Sequence, residues 1–199
     1  MRSDKIYLVR HGEIATGGHK RYIGQIDLPL DETGRRQAAA LRDELAKVSF
    51  NQVFCSNLIR SVSTARIICE RQSLAPVVIR ELQEINMGLW DGVTFEEIRY
   101  TYPGEFEKRG ADIIKFRPPG GESFAECSSR VLSALDEIVR TARGKILIIG
   151  HAGVNRIILS RALGMPLENM LKIKQDYGCL NILKTNNLVQ QVEEMNLTF

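Results

Sequence analysis

This 199-residue sequence has little of several residue types that announce particular functions. Its four cysteines, Cys55, Cys69, Cys127 and Cys179, are scattered with no C-x-x-C pair, which excludes a zinc knuckle or a disulfide framework and fits reduced thiols. No apolar run approaches the roughly 20 residues of a membrane span. The run that starts at Ile6 is broken by Arg10 before it could serve as a signal-peptide core, so a cytoplasmic chain with no membrane partner is expected. Charge of one sign is not in large excess. With 27 Lys+Arg against 24 Asp+Glu, the formal charge of +3 gives no broad nucleic-acid footprint, although a local site for a small anion fits. Only three histidines occur, none in an H-E-x-x-H spacing, so neither a metal nor another cofactor is expected. There is no internal repeat, charge block or low-complexity linker. What remains is ordinary globular composition, 44% hydrophobic and 26% charged, in a length that suits one domain over residues 1–199.

Periodicity divides the chain into alternating strands and helices. Residues 5–9 (KIYLV), 51–55 (NQVFC), 76–80 (PVVIR) and 145–149 (KILII) are short β-forming runs. From Thr33 to Val48, apolar residues at Ala38, Leu41, Leu45 and Val48 predict an amphipathic helix capped by Thr33. Ser56 is expected to cap a helix with the stripe Leu58, Val62, Ala65 and Cys69. Residues 93–117 differ: Thr94 and Glu97 form a capping-box pattern, Pro103 interrupts, and aromatics recur, suggesting a helical cap insertion. After "PPGG", a second capping box at Ser123 and Glu126 opens a long helix with Phe124, Val131, Leu135, Ile138 and Ala142 on one face. A helix from Val154 stops at Gly164, before Pro166. The tail suggests two strands around an Asn186–Asn187 turn. The alternation predicts an α/β fold: a three-layer α/β/α sandwich around a mainly parallel sheet.

In such sheets ligands bind beyond the carboxyl ends of the strands. His11 follows KIYLVR and His151 follows KIL-IIG, so two of the three histidines stand at strand ends, each with glycine close by. A lone histidine there is usually structural; a matched pair is harder to dismiss. Arg60 lies near the start of its helix, roughly 200° around from Leu58 and off the apolar stripe. Alone it reads as a solvated surface residue. With Arg10 and the histidines it makes a donor cluster suited to a tetrahedral anion, because guanidinium forks match phosphate oxygens. Glu84, in the loop "ELQEINMGLWDG", could protonate an ester's leaving oxygen, since a carboxyl group beside phosphate keeps its proton through like-charge repulsion. Spacing alone leaves Glu81 and Asp91 as competitors.

These residues resemble a known family. "LVRHGE" (8–13), "SNLIRSVSTA" (56–65), "LQEINMGLWDG" (82–92), "PGGES" (119–123) and "GHAG" (150–153) are similar, in order, to the motifs of the histidine phosphatase, or phosphoglycerate mutase-like, superfamily. The resemblance implies a phosphoglycerate mutase-like fold and a phosphomonoesterase acting on a small-molecule phosphomonoester. His11 would attack phosphorus, Arg10, Arg60 and His151 would hold its oxygens, and Glu84 would be the acid. His11 must then be neutral, with one ring nitrogen's proton held by a backbone carbonyl. Arg21, Gly24 and Gln25 are further substrate-binding candidates. The chain departs from the family pattern at Gly17, where asparagine is usual, at Ser63 and at Asp91; His19, Lys20 and Arg21 are candidates to replace the lost phosphate donor.

Within the family, "RYIGQIDLPL" and "ALGMPL…QDYGCLN" resemble α-ribazole 5'-phosphate phosphatases of cobalamin nucleotide-loop assembly. Tyr22 and the aromatics of 95–116 could stack on a flat base, although such spacing is more often local core. Rival expectations are a broad-specificity sugar or nucleotide phosphatase, a phosphoglycerate mutase, and a non-enzymatic phospho-binding protein; the intact cluster speaks against the last. A homodimer is left open.

Overall fold

The computed structural model describes residues 3–186 and 189–199. Its centre is a six-stranded sheet built from β1 (Ser3–Arg10), β2 (Gln52–Cys55), β3 (Val77–Val78), β4 (Gly144–Gly150), β5 (Leu180–Asn186) and β6 (Val189–Leu197), in the order β3-β2-β4-β1-β5-β6. β3, β2, β4 and β1 run parallel; β5 and β6 add an antiparallel edge. The expected Asn186–Asn187 turn lies partly outside the described residues.

β1 and β4 are near-continuous apolar runs because both of their faces are covered. Ile6, Leu8, Ile146 and Ile148 point into one core, with Val131, Leu135 and Ile157. Tyr7, Val9, Leu147 and Ile149 point into the other, with Leu41, Ala65 and Ile68. The first core lies under α5 (Phe124–Thr141) and α6 (Ala152–Ala162), the second under α1 (Glu32–Glu44) and α2 (Ile59–Cys69). The three layers expected from the alternation are therefore present. Truncating Leu135, fully buried in this packing, to alanine should cost about 2–5 kcal/mol.

Several local expectations shift. The cap of α1 is Asp31, not Thr33: its carboxylate accepts from Gly34 N at 2.7 Å. α2 starts two residues later than the Ser56 cap predicted, with Leu58 at its N-cap, and the Ser56 hydroxyl is shared between Leu58 N and His151. β3 is only two residues long, and both its valines are exposed at the sheet edge. The two capping boxes form as expected, Thr94 with Glu97 and Ser123 with Glu126. Pro103 ends α3 (Phe95–Thr101) and opens α4 (Pro103–Ala111) as its first residue, where its missing N–H costs nothing.

The turn 118–122 packs directly on the 84–89 loop. Leu89 N donates to Pro119 O at 2.9 Å and Glu122 N to Asn86 O at 2.9 Å. Gly88 has φ +53°, and a Cβ there would lie 2.2 Å from Pro119 O, so only glycine fits.

Candidate active site

The β1–β4 register aligns Arg10 with Gly150, so the next residue of each chain segment is a histidine. The His11 and His151 ring centroids stand 5.1 Å apart, and His11 N donates to Gly150 O at 3.1 Å. Both rings are almost wholly buried. Burial, then Arg60 and Arg10, holds the His11 imidazole well below its usual range; burial, Arg60 and His11 do the same to His151. Both are neutral near pH 7. His11 Nδ1 lies 2.7 Å from Gly12 O, an acceptor only, so Nδ1 carries the proton and Nε2 keeps its lone pair. That is the carbonyl-held tautomer expected. Gly12 is required by close approach: a Cβ would sit 2.3 Å from Gly34 O.

Around this pair lie buried donors. Arg60 is fully buried, its Nη1 and Nη2 bound to Ile26 O (2.7 Å) and Gly24 O (2.5 Å). Arg10 donates to Gln175 O at 2.6 Å and stacks on Tyr177, 3.6 Å from the ring centroid. Arg10 Nε, Arg60 Nε and His151 Nδ1 have no hydrogen-bond partner in the protein. Buried donors normally find acceptors. Three such donors around the neutral His11 ring are an arrangement that can take an anion with several oxygens.

The three acids have different surroundings. Glu84 is buried, with its carboxylate accepting from Ile85 N and Gly153 N, both at 2.9 Å, and Gly153 is two residues past His151. Asp91 is committed elsewhere: it accepts from Gly24, Gln25 and Ile26 N at 2.7–2.8 Å and so fixes the segment whose carbonyls hold Arg60. Glu81 is exposed and lines an outer cavity with Arg130 and Glu137.

Three other candidates take supporting positions. Gly24 presents its carbonyl to Arg60 and its N–H to Asp91. The Gln25 amide donates to Glu84 O at 3.1 Å. Arg21 is turned to Thr16 O and Gly92 O, and with His19, Thr94, Glu97 and Tyr100 it lines a cavity of about 500 Å³ that His11, Arg60, Glu84 and His151 do not reach. Its Nε and Nη1 are thus engaged in closing a loop. Gly17, His19 and Lys20 are exposed there. Tyr22 packs on Trp90 and Phe95 as internal core. The residues that sequence reasoning missed are Ser56, Tyr177 and Arg130. Ser56 read as a helix cap, and nothing local marks the other two.

Comparison with known proteins bears on the same residues. The family model described as histidine phosphatase superfamily (branch 1) matches residues 6–198. The chain belongs to the histidine phosphatase superfamily. As a histidine phosphatase it is a phosphoric monoester hydrolase. It is 30% identical over 195 residues to the adenosylcobalamin/alpha-ribazole phosphatase of Escherichia coli strain K12, covering 96% of this chain and 95% of that one. It is 28% identical over 195 residues to phosphoserine phosphatase 1 of Hydrogenobacter thermophilus, covering 98% and 92%. The crystal structure of the alpha-ribazole phosphatase from Shigella flexneri superposes with a TM-score of 0.88 at 30% identity, over 97% of this histidine phosphatase and 96% of the other chain. The phosphoglycerate mutase-like fold expected from the motifs is thus the fold observed. Among the described residues no helix is long and apolar enough to cross a membrane.

Proposed function

We propose that this histidine phosphatase hydrolyses the phosphomonoester of a small metabolite through a phosphohistidine at His11, and that its substrate is α-ribazole 5'-phosphate. The observation that carries the reaction is the free His11 Nε2 beside three buried, unpartnered N–H donors. In the first step the Nε2 lone pair forms a bond to phosphorus as the ester P–O bond breaks. Glu84, protonated, gives its proton to the departing alkoxide. Arg10, Arg60 and His151 bind the three remaining phosphoryl oxygens, where charge is spread in a loose transition state. In the second step Glu84, now a carboxylate, takes a proton from water; the water oxygen bonds to phosphorus, the P–Nε2 bond breaks, and inorganic phosphate leaves.

The likeness to the two alpha-ribazole phosphatases supports the substrate, and the phosphoserine phosphatase relative supplies its main competitor. The test is kcat/KM on α-ribazole 5'-phosphate, phosphoserine, 3-phosphoglycerate and mononucleotides, following phosphate release and, for 3-phosphoglycerate, isomer conversion. The reading expects α-ribazole 5'-phosphate to lead by at least roughly tenfold, a pocket-level discrimination of about 1.4 kcal/mol. Phosphoserine leading by that margin, or isomer conversion outrunning hydrolysis, would displace it.

A further inference from the structure

Arg130 of α5 spends its whole guanidinium on the Glu84 loop and one carboxylate. Nη1 donates to Glu81 O (2.7 Å) and Gln83 O (2.9 Å). Nη2 donates to Glu84 O (3.1 Å) and Glu122 Oε1 (2.5 Å), and Nε donates to Glu122 Oε2 (3.1 Å). A guanidinium has five N–H donors, and here five oxygens take them. Glu122 closes the frame from its other side, because its Oε1 also accepts from Asn86 N at 2.8 Å. The backbone of residues 81–86 is thereby gripped at four points, on both sides of Glu84. Arg130 is half-buried, and its partners are loop carbonyls and Glu122 rather than core groups.

We propose that Arg130, with Glu122, is a positioning residue for Glu84, setting the place from which the acid meets the leaving oxygen. This rests on the acid role proposed above for Glu84. Main-chain carbonyls are fixed by a fork of this geometry better than by any point charge, since a planar guanidinium constrains direction as well as distance. Proton transfer falls steeply with misplacement of the donor, so a loop freed by a fraction of an ångström loses rate without losing substrate affinity.

The variants Arg130→Ala and Arg130→Lys are to be compared on an alkyl phosphate, whose leaving group needs a proton, and on p-nitrophenyl phosphate, whose leaving group does not. Arg130→Ala is expected to lower kcat on the alkyl ester by roughly 10- to 100-fold, the cost of a small misplacement. On p-nitrophenyl phosphate it should lower kcat less than about threefold, with KM little changed on either ester. Arg130→Lys, with at most three donors from one point, should show the same discrimination in milder form, and it carries the comparison if the alanine variant does not fold. Beside Arg130 an outer cavity of about 470 Å³, lined by Ile79, Glu81, Ser133, Glu137 and others, gives exogenous guanidinium ion a way in. Millimolar guanidinium should therefore restore the alkyl-ester rate of Arg130→Ala and leave the p-nitrophenyl rate unmoved. In a Glu84→Gln background Arg130→Ala should add little further loss on the alkyl ester, since the two residues act through one proton. Equal losses on both esters, no loss at all, or full additivity with Glu84→Gln would overturn the proposal. Leaving-group discrimination in Glu84→Gln but not in the Arg130 variants would fail the clamp alone. Its lack in Glu84→Gln itself would fail the acid role.

Discussion

Ser56 Oγ lies 2.7 Å from His151 Nε2, although the two residues are 95 positions apart. The same hydroxyl accepts from Leu58 N at 3.3 Å, which leaves its own hydrogen free to be donated to the imidazole. A neutral His151 accepting at Nε2 must carry its proton on Nδ1, the ring atom with no protein partner. The tautomer that Ser56 selects thus leaves a buried, unpartnered N–H donor on the ring that faces His11. Ser56→Ala removes that selection and should lower kcat by roughly 3- to 10-fold, the worth of one net hydrogen bond. Ser56→Thr, which keeps the hydroxyl, should restore most of it; steady-state kinetics on one substrate decides.

His11→Ala should abolish turnover while leaving the circular dichroism spectrum unchanged. With a radiolabelled phosphomonoester quenched in alkali, the parent protein should hold an acid-labile, alkali-stable label, and His11→Ala none. Label persisting in that variant would move the nucleophile elsewhere.

Glu84→Gln preserves the shape of the side chain and removes its proton chemistry. The rate on an alkyl phosphate should fall by roughly 10²- to 10⁴-fold, and far less on p-nitrophenyl phosphate. Comparable losses on the two esters would count against the acid assignment.

Asp91 holds three backbone N–H groups of the segment that in turn holds Arg60. Asp91→Ala leaves those donors unpaired at a cost of about 1–3 kcal/mol. It should also weaken vanadate inhibition in the same direction as Arg60→Ala, although Asp91 itself touches no anion. Unchanged inhibition in both variants would place Arg60 outside the anion site.

The two buried imidazoles make stability fall with acid. In the unfolded chain each takes up a proton near pH 6.5; in the folded protein burial and the neighbouring arginines delay this to much lower pH. Between those values the unfolded state binds more protons, so the free energy of unfolding decreases as pH falls through about 6.5 and gains nothing from these groups above it. The double variant His11→Gln/His151→Gln should therefore lose less in Tm between pH 7.5 and 5.5 than the parent. Parallel losses would show that neither ring is held neutral.

How much of this was legible beforehand depended on the range of the interactions. Elements that rest on neighbours in the chain read well: the apolar runs of β1 and β4, and the Thr94–Glu97 and Ser123–Glu126 capping boxes, each need only residues a turn apart. The cap of α1 was misplaced by two residues, because Asp31 and Thr33 are both competent acceptors and only backbone geometry separates them.

The sequence by itself determined the family, the strand ends that carry His11 and His151, and the set of donors from which an anion site could be made. Tertiary structure alone brings Glu84, rather than Glu81 or Asp91, against the backbone that follows His151, and gives Asp91, Gln25 and Gly24 supporting contacts. It also turned Arg21 away and brought in Ser56, Tyr177 and Arg130. The reason is physical. Arg10 meets the carbonyl of Gln175 across 165 residues of chain, and Arg130 reaches Glu84 across 46. Such contacts follow from how the helices pack on the sheet, and no local spacing in the sequence encodes them.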